Sequence, residues 1–412
     1  MSTDSQYCPT APPAGLPLTF SRLFAMPTAD SVKAARVSLE IWLTMDVLKS
    51  TMTKNIIDPS FNTASKPLWA FSARLATILA LIFLLAHEQS GFAQDFYKDK
   101  TLRFIVGQAA GGGYDTYTRT IAHFMSKHVP GNPTAVVENM TGAGSLVAAN
   151  YIYNNAKPDG LTMGNWNSAF VLNQALGDSN VKFDARRFGW VGAPSKGVPV
   201  CLVMAFTGLR TFDDIARSPK PIRMAGTAPG SHSIDLPLML NKMIGTKFTV
   251  VSGYQGTAQI KIALQRREVD GHCTNWDSVL ATQRDLLDAK GDDRMIPFLV
   301  HSRLADTELK NVPLFSDVLK DQVHAKTYTA YMAQMEYQRP LTAAPGTPKD
   351  RLEILRRAFK STLEDTEFAA QANGLRLNIT YVSPEEIDKW VNEVLTIPPT
   401  VKENLQFLSQ SK

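Results

Sequence analysis

Two glycine-rich loops hold the residues best placed to do chemistry, and the chemistry they suit is holding an anion. Gly107–Asp115 (GQAAGGGYD) follows a short apolar run, Leu102–Val106, and precedes Tyr117, Ile121, Phe124 and Met125, which repeat at helical spacing. Ligands of open α/β sheets bind at the carboxyl ends of strands. Glycines there leave backbone N–H groups uncovered, and the positive end of the helix dipole favours negative charge. Asp115 is placed to cap that helix. Gly226–His232 (GTAPGSH) repeats the arrangement between a second strand and helix, with Thr227, Gly230 and Ser231 offering hydroxyls and amides.

Other chemistries fit these residues poorly. A phosphate-binding P-loop needs Lys-Ser/Thr after its last glycine, and Tyr114-Asp115 stands there instead. Gly111-Gly112-Gly113 lacks the spacing of a dinucleotide fingerprint. Glu138 sits where a ribose-binding acid would, but a bracing surface carboxylate is the better reading. Ser231, His232 and Asp235 are neighbours on one helix start, whereas a hydrolytic triad converges from separate elements. Cys8, Cys201 and Cys273 form no CxxC, and the seven histidines show no metal-ligand spacing. No catalytic residue, cofactor or metal is expected, and the chain reads as a binder rather than an enzyme.

The chain has 412 residues, 44% hydrophobic, enough for one or two cores. Its net charge of +5 comes from interspersed residues with no basic run, so no nucleic-acid partner is expected. Leu75–Ala86 is the most apolar stretch, but it is too short to span a bilayer, which takes ~20 residues. Lys66 and Arg74 precede it and Gly91-Phe92-Ala93 follows, which predicts a secretory signal over 66–93 cleaved after Ala93. A retained membrane anchor is the alternative. Residues 1–65 precede the signal as either a true extension or an over-called start, with Met52 one candidate for the true one.

From Lys100 onward short strands alternate with helices, which predicts parallel sheets covered on both faces. Strands are expected at Leu102–Val106, Ala135–Val137 and Leu161–Gly164. The rhythm restarts after Pro199 with Val200–Met204, Ile222–Ala225, Phe248–Val251 and Val269–Thr274. Leu236, Leu240, Met243 and Ile244 give one helix its apolar face, and Ile260 and Leu264 mark the next. Thr347-Pro348 and Ser383-Pro384 predict late helix starts with capping boxes.

Several of these segments resemble the Bug/TctC receptors of tripartite tricarboxylate transporters. The resemblance rests on Val106–Asp115, Val137–Gly144, Pro158–Thr162, Tyr254-Gln-Gly256 with Val269-Asp270, Val312-Pro313 and Ala344–Pro348, in that order. It implies an α/β, two-domain periplasmic-binding-protein fold of the Venus flytrap, type II class. Domain one would span 95–198 and 326–412, and domain two 199–325. It implies a small organic carboxylate as ligand, the membrane subunits of a tripartite transporter as partners, and a periplasmic location. Ligand contacts carried over by motif are Ala110, Gly111, Gly112, Gly113, Tyr114 and Asp115 from the first loop. Thr227, Ala228, Gly230 and Ser231 come from the second. Asn165, Trp166 and Asp277 are expected at nearby strand ends. Gly107-Gln108, Gly253 and Gly226–Pro229 depart from the family pattern, so ligand identity does not carry over. The flytrap topology would also set the strands of Cys201 and Cys273 side by side, although two buried thiols are the commoner outcome. An exported enzyme acting in the same cleft is the rival reading.

Overall fold

The computed structural model describes residues 96–302 and 307–410; the expected signal at 66–93 and the segment before it lie outside them. The first lobe opens with β1 (Thr101–Val106), α1 (Gly113–His128), β2 (Thr134–Asn139), α2 (Leu146–Asn154), β3 (Thr162–Asn165), α3 (Phe170–Leu176) and β4 (Gly189–Gly192). The chain then crosses into the second lobe through β5 (Pro199–Met204), α4 (Phe212–Arg217), β6 (Ile222–Ala225), α5 (His232–Ile244) and β7 (Phe248–Val251). That lobe continues with α6 (Thr257–Gln265), β8 (Gly271–Asn275), α7 (Trp276–Thr282), α8 (Arg284–Asp288) and β9 (Met295–Val300). The return runs through α9 (Phe315–Val318) and α10 (Gln322–Met332) to β10 (Leu341–Ala343). The chain ends in α11 (Lys349–Leu363), α12 (Thr366–Gly374), α13 (Pro384–Leu395) and α14 (Pro399–Gln410).

Each lobe is built on a five-stranded sheet, ordered β2-β1-β3-β10-β4 in the first and β7-β6-β8-β5-β9 in the second. The expected all-parallel sheets are in fact mixed. β1 runs parallel to β2 and β3, but β10 is antiparallel to β3 and β4. β6 runs parallel to β7 and β8, but β5 is antiparallel to β8 and β9. The odd strands in both sheets are those that enter from the other lobe. A chain arriving by a crossing segment need not obey the right-handed β-α-β return that makes neighbours parallel.

Residue pattern follows position in the sheet. β5 (PVCLVM) is buried at every position, as a central strand covered on both faces must be. β2 alternates between exposed and half-buried residues and lies at an edge. Tyr117, Ile121 and Met125 on α1 pack with Leu355 and Phe359 of α11 in one apolar core. Ser383 caps α13 through a capping box with Glu386, and Pro384 takes the first turn. At α11 the expected box is absent. Pro348 occupies the cap position, and Thr347 Oγ1 donates to the Ala344 carbonyl instead.

Candidate ligand-binding cleft

The loop after β1 and the loops after β6, β7 and β8 meet between the lobes. Ala109 N donates to the Gln255 carbonyl at 2.8 Å, and Gly113 N to Thr257 Oγ1 at 3.3 Å. The cleft they enclose has about 500 Å³ of empty space, counting the solvent at its mouth. Its first wall is Gln108, Gly112, Gly113, Tyr114 and Asn167. The facing wall includes Thr227, Ser231, His232, Ser233, Gly256, Thr257, Cys273, Thr274, Asn275 and Ser278. Neither wall contains a Lys, Arg, Asp or Glu side chain among the described residues.

The charge the walls present is therefore backbone charge. Three helices, α1, α5 and α6, begin at the cleft, with Gly112, Ser231 and Gly256 as their N-caps. None of these three residues caps its own helix with a side chain, although Gly113 N at the start of α1 is met by Thr257 Oγ1 from the facing wall. The first N–H groups of a helix have no partner inside it. Uncapped N-termini concentrate partial positive charge where an anion would sit.

Of the residues expected at the site, Gly112, Gly113, Tyr114, Thr227 and Ser231 line the cleft. The rest are placed around it. Ala110 and Gly111 are exposed on the first loop. Asp115 does not cap α1, because Gly113 and Tyr114 already belong to the helix. Its carboxylate accepts instead from Gly111 N, Arg119 Nε and Asn139 Nδ2, each at 2.9 Å. Burial works to raise its pKa, but the bonds from Arg119, Gly111 and Asn139 outweigh that and hold it below the usual carboxylate value. Glu138 likewise braces the surface, gripped by Arg103 at 2.8 Å through both oxygens.

Asn165 is fully buried and donates to the Arg339 carbonyl at 3.3 Å. Trp166 is turned into the core among Phe183, Phe188 and Trp190, its Nε1 donating to Thr342 Oγ1 at 2.8 Å. The cleft residue from this strand end is Asn167, whose Oδ1 accepts from Ala169 N at 3.0 Å. Ala228 is buried beside Gly144, and Gly230 packs on Asn173. Ser231 Oγ donates to the Ala228 carbonyl at 2.7 Å and contacts the Thr227 and Ser233 hydroxyls. Asp235 is buried beside Tyr331, its carboxyl pushed well above the usual range by burial. Ser231, His232 and Asp235 therefore make no relay.

Asp277 serves a different partner. Arg339, wholly buried, grips both its oxygens at 2.8 and 2.9 Å, and Tyr117 donates to the same carboxylate at 2.7 Å. Arg339 also reaches Ser278 Oγ at 2.7 Å and Ser195 Oγ at 3.0 Å. This cluster ties the crossing segment before β10 to the start of α7 and to α1.

Cys201 and Cys273 are bonded, a correction to the expectation of two thiols. They face each other on neighbouring antiparallel strands, with Cα atoms 4.1 Å apart, and Cys273 forms part of the cleft wall. Sequence reasoning assigned no binding role to Gln108, His232 or Asn275, which border the cleft. Their signal was position alone: each borders a strand end or helix start already marked as a loop of interest.

No family model matches the chain. A protein of Agrobacterium vitis described as "UPF0065 protein in the TAR-I ttuE-ttuC' intergenic region" is 27% identical over 279 residues, covering 66% of this chain and 74% of the relative. Among solved structures, the periplasmic binding protein BugD superposes with a TM-score of 0.61 at 19% identity, over 76% of this chain and 98% of that one. MatC from Rhodopseudomonas palustris, with bound malate, gives a TM-score of 0.58 at 20% identity, over 75% of this chain and 99% of that one. The fold is the two-lobed, type II periplasmic-binding-protein fold.

Proposed function

We propose that this protein is an extracytoplasmic receptor that captures a small organic carboxylate between its lobes and hands it to a tripartite tricarboxylate-type transporter. The observation that carries the reading is the cleft itself: three helix N-termini without a side-chain cap of their own, and no Lys, Arg, Asp or Glu among the described residues of the walls. Such a site attracts an anion without a fixed countercharge, so the ligand is held by amides and hydroxyls and released intact. The relative in Agrobacterium and the fold shared with BugD and malate-bound MatC support a place in the Bug/TctC family. On this reading the signal at 66–93 directs export, domain one comprises 95–198 and 326–412, and domain two 199–325. The contacts assigned to the carboxylate are Gly112, Gly113 and Tyr114 from one side and Thr227 and Ser231 from the other.

Thermal unfolding in the presence of small molecules tests it. A ligand that binds only the native state adds RT ln(1 + [L]/Kd), ~2.7 kcal/mol at a hundredfold excess over Kd. One or a few carboxylates from a panel of di- and tricarboxylates, aromatic acids and amino acids should raise the melting temperature. Simple amines and sugars should not. The ligand should be recovered unchanged. A shift from a neutral sugar or a cation alone would discard the anion reading, and turnover would discard the receptor one.

A further inference from the structure

Cys201 Sγ lies 3.5 Å from His301 Nε2, and both residues are buried. The Tyr328 hydroxyl fixes what that nitrogen carries. It donates its one proton to the His301 carbonyl at 2.9 Å, so it accepts from His301 Nδ1 at 3.0 Å. Nδ1 therefore holds the ring proton, and Nε2 turns a lone pair toward the sulfur. Burial keeps the ring neutral by lowering its pKa to about 3. A disulfide sulfur has no proton to offer that lone pair, whereas a thiol has one. The imidazole is thus matched to Cys201 in its reduced form, not in the bonded form it faces.

The setting of the bond gives a reductant and a proton separate approaches. Cys273 forms part of the cleft wall beside Thr274 and Asn275. His301 and Tyr328 line a second cavity with Gly197 and Met332, of about 630 Å³ counting the solvent at its mouth. Neither cysteine has exposed surface, so attack at Cys273 requires the cleft walls to part.

We propose that Cys201–Cys273 is a reversible thiol–disulfide site, reduced through the cleft by a dithiol, with His301 positioned to stabilise the reduced form. The dithiol supplies two electrons and two protons. Its first sulfur, as a thiolate, bonds to Cys273 Sγ as the Cys201–Cys273 bond breaks. Cys201 leaves as a thiolate, takes up a proton and donates it in a hydrogen bond to His301 Nε2. The second sulfur of the reductant then displaces Cys273, which is protonated in turn, and the reductant departs as a disulfide. The site is independent of which ligand the cleft holds.

The test equilibrates the purified protein with mixtures of reduced and oxidised dithiothreitol and quenches by alkylation. Mass spectrometry of the Cys201 and Cys273 peptides gives the midpoint, and circular dichroism follows the fold in each mixture. The wild-type bond should open and close reversibly in folded protein. His301→Phe keeps an aromatic ring beside Phe315 and Tyr328 but has no lone pair. Its midpoint should need about fivefold more reducing conditions, a shift of about 20 mV for this two-electron couple. Tyr328→Phe keeps the imidazole but frees its tautomer, and should shift the midpoint the same way by less. Where one variant fails to fold, the other decides. A wild-type bond that opens only as the protein unfolds overturns the proposal, and so does a midpoint unchanged in the folded variants.

Discussion

Replacing Arg339 by Met removes a charge from a place where water cannot take over. Arg339 has no exposed surface, and it holds both oxygens of Asp277 while its guanidinium lies 4.3 Å from the centre of the Tyr117 ring. Met fills much of the same volume but leaves a buried carboxylate whose remaining partners are the Tyr117 hydroxyl and the Ser278 amide. Breaking a buried pair from one side costs about 3–5 kcal/mol. At ~2.1 cal/mol/K of unfolding entropy per residue, each kcal/mol moves the melting temperature of a chain this long by roughly 1.5 °C, so a fall of roughly 5–8 °C is expected. The Arg339→Met/Asp277→Leu double variant should recover most of that loss, because apolar replacement of both partners removes the stranded charge. Scanning calorimetry on the four proteins of this cycle measures both effects. A single variant less than about 1 kcal/mol below wild type would show that Asp277 is not held as the geometry implies.

A side chain at Gly112 should abolish binding with the fold kept. Its φ of −86° suits any residue, and a Cβ there meets Thr257 Oγ1 at 3.3 Å across the cleft, so folded Gly112→Val with native affinity would refute the backbone cradle. The Cys201–Cys273 bond closes a separation of 72 residues, worth ~4 kcal/mol from loop entropy, and the reduced protein should melt correspondingly lower. His232, His272 and His301 are buried, and burial lowers their pKa values to about 4, 4 and 3. Below about pH 6.5 the unfolded chain binds these three protons and the native state does not. Buried Asp235, whose carboxyl is pushed well above the usual range, holds a native-state proton that offsets one of the three. Stability should therefore fall by about 3 kcal/mol per pH unit from there toward pH 4, and a flat acid limb in denaturant titrations would refute it. N-terminal sequencing of periplasmic protein should begin near Gln94; soluble protein that retains 66–93 would count against export.

The elements legible in the sequence were those with a local signal. Ile222–Ala225 and Phe248–Val251 are apolar runs between turns, and Ser383–Glu386 is a local capping pattern, so each could be read where it stands. β10 carries no such signal, because Leu341–Ala343 is three residues long and becomes a strand by insertion between β3 and β4. The cleft divides the same way. Glycines before a helix announced the amide cradle, and Gly112, Gly113 and Ser231 border it. Trp166 and Asp277 could not be placed, since a strand end gives position but not direction. An aromatic cluster claims one and Arg339 the other. His232 was legible only as a false triad member, because the burial that keeps its imidazole neutral is set by distant parts of the chain.

The insertion of β10 also sets an order of events for the nascent chain. The second sheet draws all its strands from residues 199–300, so that lobe can close as soon as this stretch is available. The first sheet cannot: β3 and β4 are joined only through β10, which arrives after the whole second lobe. Until then β3 offers an unpaired edge and β4 has no sheet to join. Such edges are sites for mispairing, and long-range pairings of this kind form slowly. The second lobe should therefore gain amide-exchange protection first, and a chain truncated before Leu341 should hold a folded second lobe beside an unformed first.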